Sequence, residues 1–212
     1  MQFDEAQAKL EAALARPLPG LEAQRQLAPV PPREWPPGIT ASRIRDAAGL
    51  LLLFPSSSLA YLVLTVRADT LGRHGGQVSL PGGVVEAGET FEHAALREAS
   101  EEIGLLTEHV RTLGPLTPVD IPVSGFRLHP IVGTVGERPL LAPSDGEVAR
   151  ILEVPVGELM DPSRFAWRTL ERAGRMFRVP TLVVQGAEVW GATAMVLAEF
   201  LTLLGWTGPP VE

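Results

Sequence analysis

The sequence predicts a mixed α/β (α+β) domain in which a β-sheet is sandwiched between helices. Two observations carry this expectation. Apolar, partly β-branched segments of strand length fall on both sides of one central amphipathic helix, instead of repeating as strand–helix units. Of the 212 residues, 45% are apolar and 20% charged, enough to bury a sizeable core and too apolar for disorder along the whole length.

The elements follow in order. Phe3, Ala6, Leu10 and either Ala13 or Leu14 recur at helical spacing, so residues 3–15 form a short amphipathic helix. A stretch dense in proline follows, with Pro17, Pro19, Pro29, Pro31, Pro32, Pro36 and Pro37. Proline removes backbone donors and restricts its predecessor, so this stretch is expected to run extended over the surface. An interdomain linker is the weaker reading, because too few residues precede it to form a domain. Ala47–Phe54 and Tyr61–Val66 read as paired strands around Pro55-Ser56-Ser57-Ser58. Val84–Val85 is a third, short strand. Thr90 to Ile103 reads as a helix stopped by Gly104. Further strands are expected at Val110–Leu116, His129–Val135, Arg150–Val154 and Met176–Val184, with a final helix over Gly191–Leu204. Residues 1–40 are thus an N-terminal helix and proline-rich segment packed on a domain spanning 41–206, and 207–212 form a tail.

Several functional classes are excluded early. The chain has no cysteine, so disulfides, thiolate metal sites and cysteine nucleophiles are absent. A net charge of −7 argues against a basic duplex-binding face. No apolar run reaches the ~18 residues of a membrane span. Asp4, Glu5 and Glu11 occupy a start that a signal peptide would keep basic and then apolar. The expectation is a cytoplasmic protein with a small-molecule partner and neither nucleic acid nor membrane. The four histidines, His74, His93, His109 and His129, are scattered and do not outline a metal site.

The chemistry concentrates in Leu80-Pro81-Gly82-Gly83-Val84-Val85-Glu86-Ala87-Gly88-Glu89 and the helix after it. Six of the nineteen glutamates lie between Glu86 and Glu102. At about 100° per residue, Glu98, Glu101 and Glu102 share a helix face opposite Leu96, Ala99 and Ile103. Like charges at these spacings repel. Arg97 on the flank supplies one cation against three anions. Hard carboxylate oxygens in such a cluster suit a divalent cation such as Mg²⁺ or Mn²⁺. Gly82 and Gly83 lack a β-carbon, so the backbone there can approach a ligand with its N–H groups. Loop and helix together read as a site for metal-bound phosphate; a merely solvated acidic face is the rival.

Gly83, then Glu89 after five residues, then Arg97-Glu98-Ala99-Ser100-Glu101-Glu102-Ile103-Gly104-Leu105 after seven more, resembles the Nudix box. Ala99 is smaller than the aliphatic residue usual at its place. The resemblance implies a loop–helix–loop within a Nudix-type mixed sheet, and divalent-metal-dependent hydrolysis of a diphosphate linked to a nucleoside. It implies Glu98 and Glu102 as principal metal ligands, Glu101 as a further ligand or base, and a Glu89–Arg97 pair supporting the motif. Glu147, in a later loop, is the second candidate base.

The flanks are similar to those of coenzyme A pyrophosphatases of this family. The similarity runs through Leu64-Thr65-Val66-Arg67-Ala68, His74-Gly75-Gly76-Gln77-Val78-Ser79, Ser124-Gly125-Phe126, Pro130-Ile131-Val132-Gly133 and Trp190-Gly191-Ala192-Thr193-Ala194. Leu80 stands where an aromatic is usual, and the arginine expected at Gly72 is displaced to Arg73. Arg67 and Arg73, with Gly82 and Gly83, are the implied substrate contacts, since a guanidinium fork matches phosphate oxygens. The implied products of coenzyme A are 4′-phosphopantetheine and adenosine 3′,5′-bisphosphate. Hydrolysis of ADP-ribose or another nucleoside diphosphate derivative is one alternative. A catalytically inactive nucleotide-binding module is another, disfavoured because no glutamate or arginine of the box is missing. Trp190 and the stripe Val196, Phe200, Leu201 and Leu204 read as core, with a homodimer contact as their other use.

Overall fold

The strand Arg45–Ser56 (β1) is the axis of the molecule, and its alternation sets the two sides of the core. Leu50 to Phe54 are all fully buried, as expected of a strand covered on both faces. Leu51 and Leu53 belong to one apolar cluster, whereas Ala48, Leu50, Leu52 and Phe54 belong to the other. Successive side chains point to opposite faces, so one apolar run supplies both layers. The computed structural model describes residues 1–36, 38–40, 43–68, 76–144, 146–172 and 174–210.

The first cluster takes in the helices Phe3–Leu14 (α1) and Ala192–Leu203 (α5), through Phe3, Ala6, Leu10, Val196, Leu197, Phe200 and Leu201. The second is closed by the helix Phe91–Ile103 (α3), through Ala94, Ala95, Ala99 and Ile103. Helices on both faces of one mixed sheet give the predicted sandwich.

β1 runs parallel to Phe126–Thr134 (β7) along one edge, over Arg45–Leu53. Its other edge is divided. Leu59–Arg67 (β2) pairs antiparallel with Leu53–Ser56, through a turn in which Ser57 and Ser58 hold positive φ. Gly82–Val84 (β4) pairs antiparallel with Ala47–Gly49. So β2 leaves β1 partway along, and β4 takes its place. β2 continues between Val78–Ser79 (β3) and Val148–Pro155 (β8), which leads into the helical turn Val156–Leu159 (α4). Arg111–Pro115 (β5) and Val119–Ile121 (β6) both pair with β7. A second, three-stranded antiparallel sheet joins Phe165–Arg172 (β9), Arg175–Val184 (β10) and Ala187–Val189 (β11).

The proline-rich stretch differs from expectation. It contains a helical turn at Leu21–Gln24 (α2) continuing as 3₁₀ helix through Leu27. Ala23, Gln24 and Leu27 are buried, with Leu27 in the α1–α5 cluster. The four residues between Leu21 and Gln24 contain no proline, which leaves the chain free to turn inward there. Beyond it, Val30 exchanges two backbone hydrogen bonds with Arg178 of β10, each of 2.8 Å. Among the described residues, no helix is long and apolar enough to cross a membrane.

Candidate active site

Helix α3 starts where the Thr90 hydroxyl accepts the His93 N–H at 3.2 Å, and stops at Gly104 in the left-handed region, φ 67°. With its alanines and Ile103 in the core, its acidic residues are directed to β4 and the loop after it. Arg97 organises them. Its Nε and Nη2 reach the two oxygens of Glu89 at 3.0 and 3.1 Å, a forked pair. Nη2 also donates to the Val84 carbonyl at 3.0 Å, and the Glu86 N–H donates to Glu89 at 3.1 Å. Loop 84–89 is thereby tied to the helix. The remaining nitrogen, Nη1, bridges Glu98 at 2.9 Å and Glu101 at 3.3 Å. Hydrogen bonding to Arg97 holds the Glu89 carboxyl below the usual carboxylate range.

The glycine pair sets the remaining geometry. Gly82 has φ +156°, and a β-carbon there would lie 2.2 Å from the Ala48 carbonyl oxygen. A β-carbon on Gly83 would lie 2.4 Å from Cδ of Glu98. Gly82 therefore permits β4 to join β1, and Gly83 makes room for a carboxylate against the strand. The Gly82 N–H donates to Oε2 of Glu102 at 3.1 Å. The three carboxylates do not converge equivalently, as a shared helix face had suggested. Glu102 is buried beneath the glycine turn, Glu98 is largely covered, and Glu101 is 57% exposed. Each has been drawn to a different protein donor or shares Arg97.

Glu147 is brought in from a distance by backbone bonds to the last turn of α3. Ala142 N–H donates to the Ile103 carbonyl at 3.1 Å and Ser144 N–H to the Glu102 carbonyl at 3.1 Å. Ala68 N–H in turn donates to the Glu147 carbonyl at 2.7 Å, and the Glu147 carboxylate pairs with Arg67 at 3.1 Å. Burial pushes the Glu98 carboxyl above the usual range against the pull of Arg97, and the charges of Glu101 and Glu147 add to the rise. Among the described residues no three His, Asp or Glu side chains are already closed around a cation position. The donor set nevertheless fits one: the oxygens are hard, and the crowding of negative charge on Glu98 is what a divalent cation would relieve.

Next to this cluster lies a cleft of about 290 Å³. Arg67, Gly82 and Glu102 border it together with Gln77, Ser124, Trp190 and Thr193. Thr193 Oγ1 donates to the Val78 carbonyl at 3.0 Å, joining the start of α5 to β3. Trp190 is half-buried on this cleft and is absent from the core cluster that sequence reasoning assigned it to, whereas Val196, Phe200, Leu201 and Leu204 are buried as expected. Arg73 and His74 lie outside the described residues. Arg33, in the proline-rich stretch, also borders the cleft. No spacing pattern in the sequence singled it out.

A NUDIX domain model matches residues 43–173, well over half of the chain, and spans the glycine turn, α3 and Glu147. The chain belongs to the Nudix family. Its relatives include an uncharacterized Nudix hydrolase NudL of Pectobacterium atrosepticum, 34% identical over 167 residues that cover 78% of this chain and 86% of that one. The corresponding protein of Cronobacter sakazakii is 39% identical over 145 residues, covering 68% and 75%. Among solved structures, the Nudix hydrolase RenU of M. smegmatis is 28% identical, with a TM-score of 0.48 over 54% of this chain and 73% of that chain. The protein is thus a Nudix hydrolase, an enzyme acting on phosphorus-containing anhydrides. Nudix hydrolases generally use divalent metals, and small nucleotide derivatives are their substrates.

Proposed function

We infer that this Nudix hydrolase is a coenzyme A diphosphatase, releasing 4′-phosphopantetheine and adenosine 3′,5′-bisphosphate with Mg²⁺ or Mn²⁺. The observation supporting this reading is that segments far apart in sequence border one cleft. Arg67, Gln77, Ser124 and Trp190–Thr193, which carry the similarity to coenzyme A pyrophosphatases, meet there with Gly82 and Glu102 of the Nudix box. In this reading residues 41–206 form the hydrolase domain and 1–40 pack on it.

Glu98, Glu101 and Glu102 are the side chains that would hold the cation. Once bound, the cation supplies charge neutralisation to the diphosphate and Lewis acidity towards water. The protein's own work is positional and electrostatic, which provides most of the rate in phosphoryl chemistry. Gly82 and Gly83 let the diphosphate lie close to the backbone. Arg97 holds Glu98 and Glu101 beside the glycine turn while Glu89 holds Arg97. A carboxylate must take the proton of the attacking water. Glu101 and Glu147 are both exposed enough to do so, and each pairs with an arginine, Arg97 and Arg67 respectively. In this reading Arg67, which borders the cleft and pairs with Glu147, exchanges that partner for a substrate phosphate.

The test is hydrolysis of coenzyme A, ADP-ribose, NADH and dATP under Mg²⁺ or Mn²⁺, with the phosphate products resolved. Coenzyme A is expected to have the highest kcat/KM. A higher value for ADP-ribose would replace this assignment with an ADP-ribose hydrolase.

A further inference from the structure

Arg33 stands where two hollows meet. It borders the cleft that contains Arg67, Gly82 and Glu102, and also a smaller apolar hollow of about 110 Å³ formed with Pro29, Pro32 and Met195. Arg67, Gly82 and Glu102 border only the first. Arg33 is therefore at the end of the cleft away from the hydrolytic carboxylates. Its backbone is fixed on both sides. Val30 is laddered to Arg178 three residues before it, and two residues after it the Trp35 indole N–H donates to Asp120 at 3.2 Å. Asp120 is itself held by Arg127 at 2.7 Å. The guanidinium carbon lies over the Phe177 ring, 5.5 Å from its centre, a cation–π contact that holds the head group in place.

A cation held this way suits an anion on the substrate other than the diphosphate being cleaved. We propose that Arg33 is a specificity-determining residue that contacts a phosphomonoester of the substrate, the 3′-phosphate of the adenosine half. This rests on the coenzyme A reading and extends it, because it places one recognition group outside the segment matched by the family domain.

Binding separates the two claims. Adenosine 3′,5′-bisphosphate and adenosine 5′-monophosphate are titrated into the wild type, Arg33→Ala and Arg33→Lys, with melting temperature as the control for folding. The wild type is expected to prefer the bisphosphate, and Arg33→Ala to reduce that preference about tenfold, the scale of one charge-assisted contact. Arg33→Lys should keep part of it, since the charge remains and the fork is lost. An equal preference in wild type and Arg33→Ala would overturn the proposal. Turnover of coenzyme A by the wild type is measured alongside. A protein that keeps the Arg33-dependent preference but does not cleave coenzyme A would sink the diphosphatase reading and support the contact. Cleavage of coenzyme A with no Arg33-dependent preference would do the reverse.

Discussion

Gly82 and Gly83 are adjacent, but they are glycine for different reasons, and substitution should separate the two. A methyl group on Gly82 meets backbone, the Ala48 carbonyl, in a conformation that L-residues rarely adopt. Gly82→Ala is expected to cost ~2–4 kcal/mol of folding stability, read as a lower denaturation midpoint. The atoms nearest to a methyl group on Gly83 are the carboxylate end of the Glu98 side chain, which can shift where backbone cannot. Gly83→Ala should keep its midpoint and lose at least tenfold in kcat, because a displacement of about 1 Å at a reacting centre costs that much or more. Loss of stability without loss of turnover would refute the role given to Gly83. Glu102→Gln is a companion case. The amide oxygen can still accept the Gly82 N–H, so the fold should survive, while removal of the charge should lower turnover by on the order of 100-fold at saturating metal. Near-normal turnover would remove Glu102 from the metal site. At this scale the box was legible because its chemistry is compressed into 23 consecutive residues, Gly83 to Leu105. Arg33 was not, because it reaches the cleft through tertiary packing that leaves no local spacing to read, and Trp190 was marked only by the similarity of its segment while its apolar side chain read as core.

Helix α3 and the loop before it are joined by one arginine, and its effect should depend on pH in a definite sense. The Glu89 carboxyl is held below its ordinary range, so its pairing with Arg97 contributes stability that is present above the unfolded carboxylate value, near ~4.3, and is lost as pH falls through the lower folded value. The Glu98 carboxyl lies above its ordinary range despite Arg97, and without Arg97 it would rise further. Arg97→Met therefore acts on both groups in the same direction, penalising the ionised form of each. The variant should be clearly less stable than wild type at pH 7, with the gap narrowing as pH is lowered towards ~3.5. Melting temperatures at the two pH values decide it, and a constant gap would mean that Arg97 acts through packing alone. Elements with a strong period were legible: α1, β1, β2, α3 and α5 fall within a few residues of expectation. β3, β6 and β11 are two or three residues long, too short to display alternation. β9 was missed for another reason. Ala166, Trp167, Arg168 and Thr169 are all exposed in the small outer sheet, so no buried face imposed a pattern on the sequence.

Across the whole molecule, the segment before the family domain and the helix after it are joined by a buried carboxyl group that the sequence hid inside an apolar stripe. Glu199 on α5 is fully buried. One oxygen accepts the Gly20 N–H at 3.1 Å and the Thr117 hydroxyl at 2.7 Å, and the other accepts the Gln24 side chain at 3.0 Å and the Thr117 N–H at 3.2 Å. Four donors from the N-terminal segment and the β5–β6 connection thus end on one side chain. The same segment carries Leu27 into the core and leads on, past Val30, to Arg33 at the cleft, so Glu199 fixes the base from which that strap departs. Glu199→Ala leaves those donors facing apolar surroundings, at a cost of about 3–5 kcal/mol, a large share of the stability of an ordinary domain. Glu199→Gln should cost less, since one oxygen can still accept, while its new N–H₂ faces donors. The order Ala below Gln below wild type in denaturant midpoint is the expected result. If the strap is positioned from this point, the folded Ala variant should also show weaker discrimination between adenosine 3′,5′-bisphosphate and adenosine 5′-monophosphate. A folding stability within about 1 kcal/mol of wild type for Glu199→Ala would mean that water replaces the carboxyl group, and that the N-terminal segment is held by its other contacts.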